Sequence, residues 1–125
     1  MKVTAEKNDK MADLVFSSIY PLYWNRLEKH GRTRKEFHQV LEWFTGYDEE
    51  KLQSLIADNV TYRTFFEEAK IHPNAHMIKG VVCGYRIEEI EDEFVVYKEA
   101  RRMEKLSDEL AKGRKMEKIL REEKK

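Results

Sequence analysis

The chain has 125 residues, of which 41% are hydrophobic and 38% are charged. Because 24 basic residues balance 24 acidic ones, no overall field attracts the chain to nucleic acid or to an anionic membrane surface. No run of about 18 apolar residues exists to span a membrane, and a single cysteine excludes an internal disulfide and fits a reducing compartment. We therefore expect a cytoplasmic protein with no nucleic-acid and no membrane partner.

The length fits one domain, which we divide from the distribution of polar and apolar residues. Residues 1–12 are polar, lack the apolar segment of a signal peptide and are expected to form a flexible tail. Residues 13–121 carry the periodic apolar positions of a single helical domain. Residues 122–125 are predicted to be a charged C-terminal tail.

Capping residues divide the first half of this domain into four predicted helices. Thr33 and Glu36 have the spacing of a capping box, and Phe37, Val40 and Leu41 follow at helical intervals. Glycine after the last apolar position indicates a helix end, and proline prevents continuation. Predicted starts lie at Ser17 or Ser18, Thr33, Asp48 and Thr61, and predicted ends at Gly31, Gly46, Asn59 and Pro73.

The second half contains one ambiguous segment and one long helix. Residues 81–87 include β-favouring residues beside two glycines; we favour helix followed by turn over a short extended piece, because no partner strand is evident. A long helix is expected from about Glu91 to Gly113, followed by one last turn. The predicted fold is thus an all-α, compact orthogonal bundle of five to seven helices.

The long helix suggests an interaction surface. A helix of about 20 residues is roughly 30 Å long, which is comparable to the width of such a domain. Part of its apolar stripe would then need a second subunit to cover it, and the candidate interface residues are Met103, Leu106 and Leu110. Our leading hypothesis is a non-enzymatic binding or protein-interaction domain that forms a homodimer.

Two short segments concentrate opposite charge. The basic turn, residues 29–35, places Arg32, Arg34 and Lys35 at a helix N-terminus, where a small anionic ligand would offset their repulsion with the helix dipole. A solvated turn between helices is the plainer interpretation. The acidic segment, residues 88–93, would either pair with the basic turn of a second copy or form the solvated first turn of the long helix.

A second class of function would use the glycine-flanked segment. Lys79, Tyr85 and Arg86 surround Cys83 and could line a polar pocket. The alternative hypothesis is therefore an enzyme or small-ligand-binding domain with a site at residues 83–86 and the basic turn. Cys83 itself is more typical of a small buried thiol, since no motif links it to a base.

Other chemistry finds little support in the sequence. No cysteine pair and no HExxH motif occurs, so we predict no metal and no cofactor. The helices on either side of Gly46 resemble a helix-turn-helix superficially, but the second opens with three acidic residues, Asp48–Glu50, that would repel DNA phosphates. The aromatic residues recur at helical spacing and are expected to form the core.

Several motifs together resemble one protein family. They are Phe16–Tyr23 (FSSIYPLY), Lys29–Thr33 (KHGRT), Trp43–Asp48 (WFTGYD), Ile78–Gly84 (IKGVVCG), Ile90–Asp92 (IED), Asp108–Gly113 (DELAKG) and Met116–Leu120 (MEKIL). The chain resembles, over residues 16–121, the bacterial uncharacterised-protein family known as domain of unknown function 2200. The resemblance implies a small, mostly helical bacterial protein. It assigns no activity and no catalytic or binding residue.

Overall fold

The computed structural model describes residues 2–121, and these form seven α-helices, two 3₁₀ turns and one short hairpin. The predicted all-α class with five to seven helices is confirmed, while the predicted tail over residues 122–125 lies outside the described residues. The helices are α1 (Ala5–Ala12), α2 (Phe16–Lys29), α3 (Arg34–Thr45), α4 (Glu49–Ala57), α5 (Tyr62–Glu67), α6 (Val95–Ala111) and α7 (Met116–Ile119). The 3₁₀ turns are Pro73–Met77 and Ile87–Glu89, and the strands are β1 (Val81–Val82) and β2 (Tyr85–Arg86).

Local capping chemistry sets most helix boundaries of the first half. Thr33 and Glu36 form the predicted capping box at the start of α3, and Gly46 ends that helix in the left-handed region at φ 76°. Asp48 accepts a 2.8 Å hydrogen bond from the Lys51 amide and begins α4. These helix ends are confirmed because each depends on residues within one turn of the boundary.

The start of α2 differs from the prediction for a tertiary reason. The helix begins at Phe16, whose side chain is buried and whose amide donates a 2.8 Å hydrogen bond to the Val60 carbonyl. Ser17 does not cap the helix, since its hydroxyl donates to Asn59 Oδ1 at 2.6 Å. Pro21 consequently lies in the second turn of α2 rather than in its first.

Residues 2–12 do not form the flexible tail that was predicted for this end of the chain. Thr4 caps α1 by accepting from the Lys7 amide, and Ala12 is completely buried. The helix packs against α6, and Asn8 Oδ1 accepts a 2.9 Å hydrogen bond from the Tyr97 amide in the first turn of α6. α1 is therefore held by contacts with a helix almost 90 residues away, which a local pattern does not reveal.

The ambiguous segment forms a hairpin instead of the favoured helix and turn. Val81 pairs with Arg86, and Val82 pairs with Tyr85 in antiparallel register. The connecting residues are Cys83 and Gly84, and both have positive φ angles, 51° and 83°. Positive φ at both central positions is the signature of the tight turn that joins two-residue hairpins.

The long helix begins at Val95, four residues later than expected. The chain first buries the side chains of Ile87 and Ile90, and the backbone at Ile90 is extended. The acidic segment therefore precedes α6 and does not form its first turn. Buried apolar contacts outweigh the helix preference of this segment.

α6 crosses the centre of the domain and contacts α1, α2, α3, α5 and α7. Its stripe residues Met103, Leu106 and Leu110 are each at most 1% exposed and belong to the main core. They are not available for contact with a second subunit, because the chain's own helices cover them. The predicted aromatic core is present, with Phe16 and Phe65 stacked 4.1 Å apart between ring centroids.

Candidate functional site

An open cleft of about 350 Å³ lies beside the C-terminal half of α6. Ionisable side chains form nearly all of its lining, with five cations and two carboxylates, an excess of three positive charges in a chain of zero net charge. We call this feature the basic cleft. Its lining residues are Met77, Lys79, Lys105, Asp108, Glu109, Lys112, Arg114 and Arg121.

Three parts of the chain converge on the basic cleft, and the first is the segment before β1, which carries Met77 and Lys79. Lys105, Asp108 and Lys112 occupy one face of α6 at helical spacing. The chain then reverses at Gly113, whose φ is 84°, and runs back through α7 to Arg121. Burial of Ile119 fixes this return.

Glu109 anchors the returning segment to α6. This residue is 6% exposed, and its Oε2 atom accepts hydrogen bonds from Arg114 at 3.0 Å and from Arg121 at 2.6 Å. Its Oε1 atom is buried and has no hydrogen-bond partner among the described residues. Leaving a buried acceptor unsatisfied costs about 1–3 kcal/mol.

Asp108 connects the basic cleft to α2. Its Oδ1 atom accepts a 2.7 Å hydrogen bond from Arg26, and Lys112 lies 3.0 Å from Oδ2. Burial raises the pKa of this carboxyl, but the hydrogen bonds from Arg26 and Lys112 outweigh burial and lower the pKa below its usual value. Asp108 is therefore ionised at neutral pH.

Lys112, Arg114 and Arg121 each form an ion pair with a carboxylate of the cleft. Lys79 and Lys105 have no carboxylate at ion-pair distance among residues 2–121. Gly80 allows this placement of Lys105. A Cβ atom at Gly80 would lie 3.2 Å from Lys105 Nζ, and the φ of 114° at Gly80 also favours glycine. The glycine thus lets the Lys105 amine lie against the backbone beside Lys79.

The central arginine of the basic turn, Arg32, is engaged by the chain itself. Arg32 Nε donates a 2.8 Å hydrogen bond to the Leu110 carbonyl, and a second guanidinium nitrogen donates to the Arg114 carbonyl. A third nitrogen lies 2.6 Å from the Glu36 carboxylate. Arg32 therefore closes the C-terminal end of α6.

The two other predicted residues of the basic turn lie apart from the cleft. The guanidinium of Arg34 lies over the Trp24 ring, 4.9 Å from its centroid. Lys35 is exposed in the first turn of α3. Of the residues predicted from the sequence, Lys79 is the one that lines the basic cleft.

Cys83 is exposed at the hairpin turn, contrary to the expected buried thiol. Its Sγ donates a 3.0 Å hydrogen bond to Glu104 Oε2. That hydrogen bond, together with partial burial, raises the pKa of the thiol. The carboxylate thus favours the protonated thiol and not the thiolate that a nucleophile requires.

Tyr85 and Arg86 lie in different surroundings from Cys83. The Tyr85 ring is buried against Tyr97 and accepts a 2.9 Å hydrogen bond from Lys7 at its hydroxyl. Arg86 is half-exposed, and its guanidinium approaches Glu88 at 3.8 Å. Tyr85 and Arg86 line one small cavity of about 160 Å³, but Cys83 is not part of its lining, so the predicted site at residues 83–86 is brought together only in part.

A separate polar chain runs through the interior between α2 and α4. His38 is 3% exposed; its Nδ1 donates to Glu49 Oε1 at 2.5 Å, and its Nε2 contacts the Tyr20 hydroxyl. The hydrogen bond from Gln53 lowers the pKa of Glu49, and the contact with His38 adds to this effect. This chain of contacts links α2, α3 and α4.

Within residues 2–121, no group of three or more His, Cys, Asp or Glu side chains has the arrangement of a metal site. None of the helices formed by these residues has both the length and the apolar character needed to cross a bilayer.

The fold and the cleft define a small all-α domain with a positively charged, ligand-sized cleft at one end of its central helix. The chain belongs to the family described as uncharacterised proteins conserved in bacteria, domain of unknown function 2200, whose match covers residues 10–121. The predicted family membership is confirmed. Neither this description nor the chain's own residues supply an established activity.

A solved structure of similar fold is also of uncharacterised function. The crystal structure of the uncharacterised protein SP1917 is similar with a TM-score of 0.80 and 36% sequence identity, over 89% of this chain and 90% of that chain. A comparison with curated proteins finds no match.

Sequence reasoning missed most of the basic cleft. The spacing of Lys105, Asp108 and Lys112 was readable as one helix face. Lys79 and Arg121 join that face only through the hairpin and through the chain reversal after Gly113. No local signal connects these segments.

Proposed function

We propose that the protein binds a small phosphate-bearing ligand in the basic cleft. The observation that carries this proposal is the excess of three positive charges in one concave surface, with Lys79 and Lys105 left without a carboxylate partner among the described residues. A doubly charged phosphate monoester would neutralise most of this excess. The proposal keeps the small anionic ligand expected from the sequence and moves its site away from the basic turn.

The helix dipole alone does not account for this charge. The C-terminus of a helix attracts cations through its unpaired carbonyl groups. Arg32 already satisfies the Leu110 carbonyl and the carbonyl of Arg114. The lysines of the basic cleft are therefore additional to the cation that the helix end requires.

The proposed attraction is large enough to matter. Two opposite unit charges 4 Å apart near a protein surface attract each other by about 4 kcal/mol before desolvation is subtracted. Individual exposed ion pairs retain about 0.2–1 kcal/mol. Four or five such contacts to one ligand, each near the upper end of this range, amount to about 4–5 kcal/mol, which corresponds to binding in the millimolar range.

A matched pair of double variants tests the proposal. Methyl phosphate is titrated at low ionic strength into the full-length protein, into Lys79→Ala/Lys105→Ala and into the control Lys29→Ala/Lys35→Ala. Both variants remove two positive charges, but the control removes exposed lysines from the basic turn. We expect the affinity to fall about tenfold in the cleft variant and to change less than twofold in the control. Equal losses in the two variants, or no binding by the unmodified protein, would contradict the proposal.

We further propose that the protein works in a reducing compartment such as the cytoplasm. Its one cysteine, Cys83, carries an exposed free thiol, and such a thiol is stable where disulfides are kept reduced. Thiol alkylation of freshly opened cells tests this assignment. Complete modification without added reductant is expected, whereas modification only after reduction would oppose it.

A further inference from the structure

We infer that the ligand of the basic cleft is a hydroxylated phosphate, such as a polyol or sugar phosphate, whose hydroxyl groups donate hydrogen bonds to the carboxylates of Asp108 and Glu109. The inference rests on the proposed phosphate site and specifies the rest of the ligand. It comes from the two carboxylates of the cleft, because each of them keeps acceptor positions that its contacts within the chain leave unused.

The cations and the spare acceptors of the basic cleft lie in different places. Lys79 and Lys105 form one pole, where the Lys105 amine lies against Gly80. Arg114 and Arg121 form a second pole, and both of them donate to Glu109. A phosphate group is attracted to the lysine pole, because those amines have no carboxylate partner among the described residues. The remainder of a bound molecule then extends along α6 toward the carboxylates.

Both carboxylates keep unused acceptor capacity. A carboxylate offers about four lone-pair positions. Asp108 uses one on each oxygen, for Arg26 and Lys112. Glu109 places both of its hydrogen bonds on Oε2, which leaves Oε1 without a donor among the described residues, although the residue is 94% buried. A hydroxyl group is the neutral donor that satisfies such an oxygen.

Charge favours a hydroxyl over an ammonium group as that donor. With a doubly charged phosphate bound, the cleft still holds about one more cation than anions, so an additional ammonium would add to an existing excess of positive charge. A hydroxyl donates a hydrogen bond without adding charge. Arg114 is the exposed member of the arginine pole, with 44% of its side chain accessible, and it covers Glu109 from the solvent side through a hydrogen bond to Oε2.

Three probes with the same phosphate group test the inference in the unmodified full-length protein. They are methyl phosphate, glycerol 1-phosphate and phosphoethanolamine. We expect glycerol 1-phosphate to bind about tenfold more tightly than methyl phosphate, the gain of one hydrogen bond to a charged acceptor, and phosphoethanolamine to bind no more tightly than methyl phosphate. In Asp108→Asn, we expect the ratio of the two affinities to fall to within about threefold, since one acceptor oxygen becomes a donor.

The outcomes separate the two proposals. Equal affinity for methyl phosphate and glycerol 1-phosphate overturns the hydroxylated ligand and leaves the phosphate site intact. Preference for phosphoethanolamine overturns the hydroxyl donor in favour of an ammonium group. Failure of all three probes to bind overturns the proposed function itself. Because the ratio is measured first in the unmodified protein, a folding defect in Asp108→Asn does not decide the result.

Discussion

Arg32 Nε donates a 2.8 Å hydrogen bond to the carbonyl oxygen of Leu110, so a residue near the start of α3 closes the end of α6. The same side chain also binds the Arg114 carbonyl and the Glu36 carboxylate. This contact fixes the turn from which the wall of the basic cleft begins. It also explains why an arginine occurs where the helix dipole of α3 alone would disfavour one.

Replacement of Arg32 should destabilise the protein. Arg32→Ala removes one donor from each of two carbonyl groups and one carboxylate, and we expect a loss of about 1–3 kcal/mol in the free energy of unfolding. Arg32→Lys should recover little, because one ammonium group does not span three acceptors. Urea denaturation measures both, with the exposed Lys35→Ala as control. A loss in Arg32→Ala no larger than in this control would contradict the assigned role.

The central stripe of α6 should respond to mutation as core and not as an interface. Leu106→Glu places a charge at a position that is 1% exposed, so we expect unfolding or a loss of several kcal/mol. Val95→Glu, on the same helix at 55% exposure, should change stability by less than about 0.5 kcal/mol. Circular dichroism and sedimentation mass distinguish the cases. A folded Leu106→Glu protein of halved mass would restore the dimer hypothesis.

The two hydrogen-bond partners of His38, Tyr20 and Glu49, should contribute unequally to the stability of the protein. Tyr20→Phe removes the hydroxyl partner of a ring nitrogen inside the core, and we expect a cost of about 1–3 kcal/mol. Glu49→Gln affects a carboxylate whose side chain is 53% exposed, where solvent competes for the contact, and should cost less than about 1 kcal/mol. Thermal and urea unfolding measure both variants. A larger cost at Glu49 than at Tyr20 would be incompatible with this account.

Stability should fall at alkaline pH because of buried tyrosines. Burial raises the pKa of Tyr47 from 10.0 to about 12, with the Glu68 carboxylate adding to the effect. The unfolded state therefore releases this proton at lower pH than the folded state does. As the pH rises from about 10 to 12, the unfolded state is increasingly favoured and the free energy of unfolding falls. Tyr47→Phe should reduce the slope of unfolding free energy against pH in this window. An unchanged slope would show that other groups control the alkaline transition.

The hairpin turn offers a stabilising substitution. Cys83 adopts a φ of 51°, a conformation in which asparagine is common and most other residues are strained. Cys83→Asn should therefore raise stability by up to about 1 kcal/mol, while Cys83→Val should lower it. Urea midpoints of the two variants give the comparison. Equal stability of the two would argue against strain at this position.

The sequence predicted features that depend on neighbouring residues. The capping box of Thr33 and Glu36, the end of α3 at Gly46 and the cap at Asp48 were all correct, because each involves contacts within one turn. The apolar period of α6 correctly indicated one long helix. The same period did not tell whether Leu106 faced the chain's own core or another subunit.

Features that depend on distant residues were not predictable in this way. Asn8 caps α6 through Tyr97, which gives the N-terminal segment a reason to form a helix. The sequence did not predict the hairpin at residues 81–86, because its turn is Cys-Gly, which is not a typical pair for a two-residue hairpin turn. Arg121 reaches Glu109 only after the chain reverses at Gly113.

The most direct test of the account is a nitrogen–proton NMR titration of the full-length protein with methyl phosphate at low ionic strength. The account predicts saturable shifts concentrated in residues 77–80, 105–114 and 121, with weakening as salt is added. Shifts concentrated in the basic turn or in residues 83–86, or none at phosphate concentrations in the tens of millimolar, would contradict it.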